Sequence, residues 1–378
     1  MGLCGRTGAV LTVFAPPVDQ AGGMEAHGGN LEATARRLGC RPDQILDASA
    51  SLAPFALPRA ARRALRQVDL RAYPDRSHWR LRQQIAQLHQ LAPEAVLPGN
   101  GAAELFTWAA RDAASSGVSL LPQPGFADYG RSLQCWGGQQ RSWPLPLEWA
   151  EAFPQPFPAA SAAEVLWITN PHNPTGQLWS RESLEPLLAR HRLVICDEAF
   201  LPLLPGGEPQ SLIPLVAEHP NLVVIRSLTK LYGIAGVRLG YAVAQPERLQ
   251  RWAQWRDPWP INAFAGALAD AVLRDPRDYA RWCARVQRWV AEEGGWLQRR
   301  LRDFPRIRPY PSAVNYLLLR AEQGSLQPLR EALEQRHRIL VRDCRSFAGL
   351  GESWLRIGLQ DRAGNRRLLR ALGAELLQ

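Results

Sequence analysis

The chain has 378 residues, 46% of them hydrophobic and 21% charged, a balance that suits a folded protein with a sizeable core and excludes a disordered or collagen-like chain. This length suits two domains sharing a cleft, or one large one. The formal net charge is +10, but the arginines are scattered among Asp and Glu. No helix-turn-helix, zinc spacing or aromatic RNA-binding motif accompanies them, so no nucleic-acid partner is expected.

The start, MGLCGRTGAVLTVFAPP, is a weak imitation of a signal peptide, with one arginine and a short apolar stretch. A second methionine, Met24, precedes EAHGGN, so residues 1–24 are expected to be a disordered extension and residues 25–58 an N-terminal arm. No apolar run reaches the length of a membrane span, so no membrane partner is expected. The six cysteines, at 4, 40, 135, 196, 283 and 344, form no CxxC and no cluster with histidine. Free thiols, no metal and a cytoplasmic address follow as expectations.

From 59 to 255, helix-like segments alternate with short apolar runs: VSLL, EVLWIT, RLVICDE, NLVVIRS and VRLGYAVA. Buried runs separated by helical stretches predict a mainly parallel sheet in a large α/β domain. Polar residues gather just after these runs, as TNPHNPTG, DEAF and SLTK. The carboxyl ends of strands in such sheets are where ligands bind. Residues 256–378 change texture: a long amphipathic stretch, DYARWCARVQRWVAEEGGWLQRRLRDF, precedes AVNYLLLR, RILVRDC and WLRIGL. That pattern predicts a smaller α+β domain, with the spaced tryptophans serving as packing.

Of the 45 lysines and arginines, only Lys230, in RSLTKLYG, is lysine. An ammonium desolvated in a cleft can lose its proton and become a nucleophilic amine, and a guanidinium cannot. NPHNPTG, from Asn170 to Gly176, fixes an irregular turn at a strand end. Asp197, in CDEAF, ends an apolar strand, where a carboxylate needs a cationic partner. GNGAAEL offers a glycine turn entering a helix, a geometry that presents N–H groups to a phosphate. Taken singly, each has an ordinary reading as a leftover surface lysine, a turn, a helix cap or a glycine loop.

Together, NPHNPTG, DEAF and SLTKLYGIAGVRLGY resemble the fold type I pyridoxal-phosphate enzymes, and within them the class I/II aminotransferase superfamily, in order and rough spacing from about residue 25 to the end. The resemblance implies pyridoxal 5'-phosphate as cofactor, with Lys230 forming the Schiff base and Asp197 keeping the ring nitrogen protonated. Asn173 would bond the ring hydroxyl, and Phe126, in PQPGFADY, would stack on the ring. The cofactor phosphate would rest on the amides of Gly101, Ala102 and Ala103, with Ser227, Thr229 and Arg238 adding donors. Tyr73, in AYPD, resembles the tyrosine that reaches a neighbouring subunit's phosphate, which implies a homodimer with composite sites.

Finer resemblance divides two groups. HGGNLEATARRLG, ILDASASLAPF, LPGNGAAEL, PGFADY, DEAF and VRDCRSFAGLG are similar to threonine-phosphate decarboxylases of cobalamin biosynthesis. Histidinol-phosphate aminotransferases are the next resemblance, but transaminases of this group usually carry tyrosine where Phe200 stands. SASLAPF also departs from the SANINPLG expected of the decarboxylases. The substrate implied is a phosphorylated amino acid. Arg356, in WLRIGL, would grip its carboxylate and Arg342, in ILVRDC, its phosphate, or the two in exchange, with His27 and Asn30 closing from the arm. The reading is decarboxylation of L-threonine O-3-phosphate; an aminotransferase is the alternative, and a non-catalytic basic binding protein a remote one.

Overall fold

Whether the buried runs become parallel strands is answered by the computed structural model, which describes residues 28–158 and 162–377. The expected extension at 1–24 and His27 lie outside the described residues. The first half of the chain forms α1 (Leu31–Leu38), β1 (Leu46–Ala48), α2 (Arg59–Arg66), α3 (Trp79–His89), β2 (Val96–Asn100), α4 (Gly101–Ser116), β3 (Ser119–Gln123), α5 (Asp128–Gln134), β4 (Gln140–Pro144), β5 (Val165–Thr169) and α6 (Arg181–Leu188). The second half forms β6 (Leu193–Asp197), β7 (Leu222–Ser227), α7 (Leu228–Tyr232), β8 (Leu239–Val243), α8 (Pro246–Trp255), α9 (Ala263–Leu273), α10 (Pro276–Leu301), β9 (Ile307–Pro309), β10 (Tyr316–Ala321), α11 (Gln327–His337), β11 (Ile339–Asp343), β12 (Trp354–Gly358) and α12 (Arg362–Leu376).

The large sheet has the order β2-β8-β7-β6-β5-β3-β4. Neighbours run parallel except around β8, which is antiparallel to both β2 and β7. Strands β5, β6 and β7 are buried along their whole length. Both of their faces are covered, so their sequences run continuously apolar instead of alternating. Thr169, Asp197 and Ser227, the last residues of these three strands, come out on one edge. The fold is mixed α/β, built on a mostly parallel seven-stranded sheet.

A second sheet has the order β1-β11-β12-β10-β9. Its first strand comes from the N-terminal arm: Leu46 to Ala48 pair in parallel with Ile339 to Val341. Helix α10 starts on Pro276, and the carboxylate of Asp275 accepts the N–H of Arg277 at 2.8 Å, a good start for a helix. The tryptophans along α10 are packing residues. Trp282 lies flat on Tyr232, with ring centres 5.2 Å apart, and donates its indole N–H to the Leu231 carbonyl at 2.9 Å. Trp289 donates to the Gln360 carbonyl at 3.0 Å. One helix thus ties the lysine-bearing α7 to the turn after β12. Among the described residues the cysteines at 40, 135, 196, 283 and 344 are free thiols, no group of His, Cys, Asp and Glu could hold a metal, and no helix is long and apolar enough to cross a membrane.

Candidate active site

Lys230 sits one turn beyond the end of β7. The Ser227 hydroxyl accepts the Thr229 N–H at 3.2 Å and starts α7, which ends at Gly233 with φ 65°. That glycine is required twice over: its conformation is left-handed, and a Cβ there would stand 2.7 Å from the Ala53 carbonyl. Ala53 returns a backbone N–H to the Lys230 carbonyl at 3.0 Å, so the arm braces the lysine. The ammonium nitrogen lies 5.4 Å from the centre of the Phe200 ring. Burial first, and the Arg356 charge second, pull the Lys230 pKa down to about 8. Near pH 7 this leaves about a tenth of the amine neutral, far more than for an ordinary lysine, as a nucleophilic amine needs.

Asp197 faces the same cavity from the end of β6 and is 6% exposed. Its Oδ1 accepts the Ala199 N–H at 2.9 Å and its Oδ2 the Tyr129 hydroxyl at 2.6 Å. Burial raises its pKa to about 6, against the opposing pull of those two hydrogen bonds and of the Lys230 charge. Phe126, Asn173, Ser227 and Thr229 line the cavity with it.

The opposite wall belongs to the second sheet. Arg356 on β12 and Arg342 on β11 are direct register partners, 7% and 5% exposed, and both line the cavity of about 400 Å³. Arg356 donates to the Asn173 side-chain oxygen and to the Ser49 carbonyl, the latter at 3.2 Å. Its Nε is buried without a partner, and no carboxylate pairs with it among the described residues. Its guanidinium lies 4.8 Å from the Tyr316 ring centre. Arg342 donates to the Ser346 hydroxyl at 2.6 Å. The buried Arg356 guanidinium, without a carboxylate partner among the described residues, is expensive, and a bound anion would supply that partner.

The remaining expected residues separate into three groups. Ala102 and Ala103, at the start of α4, line the cavity together with Arg238. Gly101 lies under the Arg238 guanidinium: its φ is 72°, and a Cβ would come within 2.5 Å of an Arg238 nitrogen. Tyr73 does not line this cavity; it is 79% exposed and stacks on Trp259, with centres 4.6 Å apart. Asn30 begins α1 and is exposed, while the arm closes on the cavity through Gly28 and Gly29 instead. The Gly29 N–H donates to the Ser49 hydroxyl at 2.9 Å.

Sequence reading missed Tyr129, Ser49, Tyr316 and Phe347. Tyr129 stands three positions after Phe126 within PGFADY, but its partner Asp197 is 68 residues away. Phe347 reaches the cavity from the segment after β11. It lies within VRDCRSFAGLG, but nothing in that stretch singles it out as a cavity residue.

The sequence model for aminotransferase class I and II matches residues 44–372. Threonine-phosphate decarboxylase from Salmonella typhimurium is 35% identical over 363 residues, 92% of this chain and 95% of that protein. Histidinol-phosphate aminotransferase from Symbiobacterium thermophilum is 33% identical over 84% of this chain and 85% of that one. A solved structure of the histidinol-phosphate aminotransferase from Sinorhizobium meliloti, in complex with pyridoxal-5'-phosphate, shares the fold at a TM-score of 0.79, covering 92% of this chain and 95% of that one at 22% identity. The chain belongs to the class I and II aminotransferase family.

Its cofactor is pyridoxal 5'-phosphate. The residues present fit that group. Gly101 leaves open the space that a Cβ would fill beneath Arg238, where a phosphate would meet both the start of α4 and a cation. The buried Asp197 carboxylate suits a protonated ring nitrogen, and Lys230 is an amine with a depressed pKa.

Proposed function

We propose that the protein is a pyridoxal-phosphate-dependent lyase that removes CO2 from L-threonine O-3-phosphate and releases (R)-1-amino-2-propanol phosphate, a step of cobalamin biosynthesis. The observation that carries this reading is the pairing of Arg342 with Arg356 across β11 and β12, both buried at the cavity wall and Arg356 without an acidic partner among the described residues. Two cations answer a substrate with two anionic ends. Threonine phosphate has a carboxylate and a phosphate; histidinol phosphate has the phosphate alone, and a transaminase would meet two anionic ends only on its 2-oxoglutarate partner. Phe200 adds support: it meets Tyr316 edge-on at 5.2 Å and gives the lysine an apolar neighbour where a transaminase would carry a phenol.

When bound, pyridoxal phosphate supplies an electron sink for the bond that breaks at the substrate Cα. Lys230 would hold the cofactor through its amine, and once released it is placed to return a proton to the substrate Cα after CO2 has left. Asp197 would keep the ring nitrogen protonated, Asn173 would bond the ring oxygen and Phe126 would cover the ring face. The amides of Gly101, Ala102 and Ala103, with Ser227, Thr229 and Arg238, would take the cofactor phosphate. Arg356 orients the substrate carboxylate and Arg342 its phosphate, with His27 and Asn30 on the arm closing over them. Tyr73, exposed and turned from its own cavity, reaches the cofactor phosphate of a second copy in a cytoplasmic homodimer.

The test is a CO2 trap over the cofactor-loaded protein supplied with L-threonine O-3-phosphate. Release of CO2 with one equivalent of aminopropanol phosphate is expected. A second reading, aminotransferase, draws on the Symbiobacterium thermophilum relative. No CO2, together with 2-oxoglutarate-dependent loss of the amine from histidinol phosphate, would establish that reading instead.

A further inference from the structure

Asp197 is held by a hydrogen-bonded chain running through three elements. Tyr129 on α5 reaches the Asp197 Oδ2 at 2.6 Å, and the Thr169 hydroxyl, at the end of β5, lies 2.9 Å from the same phenol oxygen. Thr169 and Asp197 are register partners on neighbouring strands, so the strand pairing itself sets this triangle. The Tyr129 ring is locked on three sides. It stacks on Trp167 with centres 5.0 Å apart, and meets Phe106 and Phe126 edge-on at 5.1 and 5.5 Å. It is 4% exposed and is not among the residues that line the cavity.

The direction of the proton is fixed by chemistry. Burial and the neighbouring Asp197 charge push the Tyr129 phenol well above its ordinary range, so it keeps its proton and donates it to the carboxylate. That proton is then committed, and the Thr169 hydroxyl must donate to the phenol oxygen. The order is Thr169 to Tyr129 to Asp197, and each bond polarises the next.

We propose that Tyr129 is a positioning residue of the reaction: its phenol, oriented by Thr169, fixes the Asp197 carboxylate and holds it ionised against the cofactor's ring nitrogen. The proposal rests on the reading of Asp197 given above. A carboxylate on a strand end has a free χ torsion and two equivalent oxygens. The Ala199 N–H claims Oδ1 and Tyr129 claims Oδ2, which leaves one orientation. The ionisable groups around Asp197 are Tyr129 from α5, Lys230 from α7, Tyr316 from β10, and Cys196 and Glu198 beside it in the chain. Of these only Lys230 and Tyr129 favour the ionised carboxylate, and Lys230 is committed to the cofactor once that is bound. Tyr129 is then the side chain that keeps the charge in place.

The experiment uses cofactor-loaded protein and two readouts: the dissociation constant for pyridoxal phosphate and the pH dependence of the bound cofactor's absorbance. Tyr129→Phe is expected to weaken cofactor binding roughly tenfold or more, as the loss of a hydrogen bond to a charged group does, and to move the acid-side midpoint of the absorbance upward. Thr169→Val, which leaves the ring untouched, is expected to shift both in the same direction by less, and it tests the proposal if Tyr129→Phe fails to fold. Trp167→Phe loosens the same aromatic packing without removing a hydroxyl, and should leave the midpoint unchanged. Wild-type affinity and midpoint in Tyr129→Phe or Thr169→Val would overturn the proposal, as would an equal shift of midpoint in Trp167→Phe. Asp197→Asn separates the two levels. If it is impaired while Tyr129→Phe is normal, only the role of Tyr129 falls; if it too binds and titrates normally, the reading of Asp197 falls with it.

Discussion

Arg342 and Arg356 are adjacent like charges in register, one of them held against the apolar faces of Tyr316 and Phe347. Of the two, Arg356 has no acidic partner among the described residues, so a bound anion would relieve its burial. If Arg342 takes the phosphate, Arg342→Gln should lower kcat/KM for L-threonine O-3-phosphate by roughly ten- to a hundredfold. It should leave the affinity for L-threonine, read from the change in cofactor absorbance, near the wild-type value. Arg356→Gln should weaken both ligands, since each carries the carboxylate. The opposite pattern in the two variants would exchange the assignments.

Helix α10 has contacts on both sides of the site. Trp282 packs its indole on Tyr232 of the lysine-bearing helix and bonds the Leu231 carbonyl. Trp282→Ala should therefore cost about 3–5 kcal/mol in stability, by the usual cost of emptying a buried aromatic site, and should speed cofactor loss because α7 loosens. Urea unfolding and the rate of cofactor release check the two parts. A variant that unfolds earlier but retains cofactor as wild type does would separate α10 from the site. The strands carrying the site were legible in the sequence because full burial writes itself as an apolar run: EVLWIT and RLVICDE are β5 and β6 almost to the residue. Strand β2 was not, because VLPGN carries a proline and a glycine that read as a turn. The parallel join of β1 to β11 was also invisible, for it links Leu46 to Ile339 through three residues of no distinctive pattern. The site divides in the same way: Lys230, Asp197 and Asn173 sit in local motifs, whereas the hold of Tyr129 on Asp197 exists only once α5 has packed on the sheet.

At the scale of the whole molecule, the cleft holds two groups that the fold alone disfavours in charged form. The Lys230 pKa, about 8, lies below its ordinary 10.5. Its contribution to stability is therefore full above pH 10.5 and is lost as pH falls through about 8. The Asp197 pKa, about 6, lies above its ordinary 3.8. That contribution is full below pH 3.8 and is lost as pH rises through about 6. Near pH 7 both losses coincide, so the cofactor-free protein is least favoured by these two groups between about pH 6 and 8, and a cofactor that uses the amine and meets the carboxylate would remove both. Function is placed here against stability. Cofactor-free Lys230→Leu should accordingly melt higher than cofactor-free wild type at pH 7, with the gap shrinking as pH rises from 8 toward 10, where the wild-type amine is neutral in the folded state. The greater apolarity of leucine adds an offset that does not vary with pH, so the slope of the gap is the informative quantity. In saturating pyridoxal phosphate the order should reverse, because only the wild type binds the cofactor covalently. A gap that stays constant from pH 7 to pH 10 would mean that the lysine is not desolvated in the empty cleft.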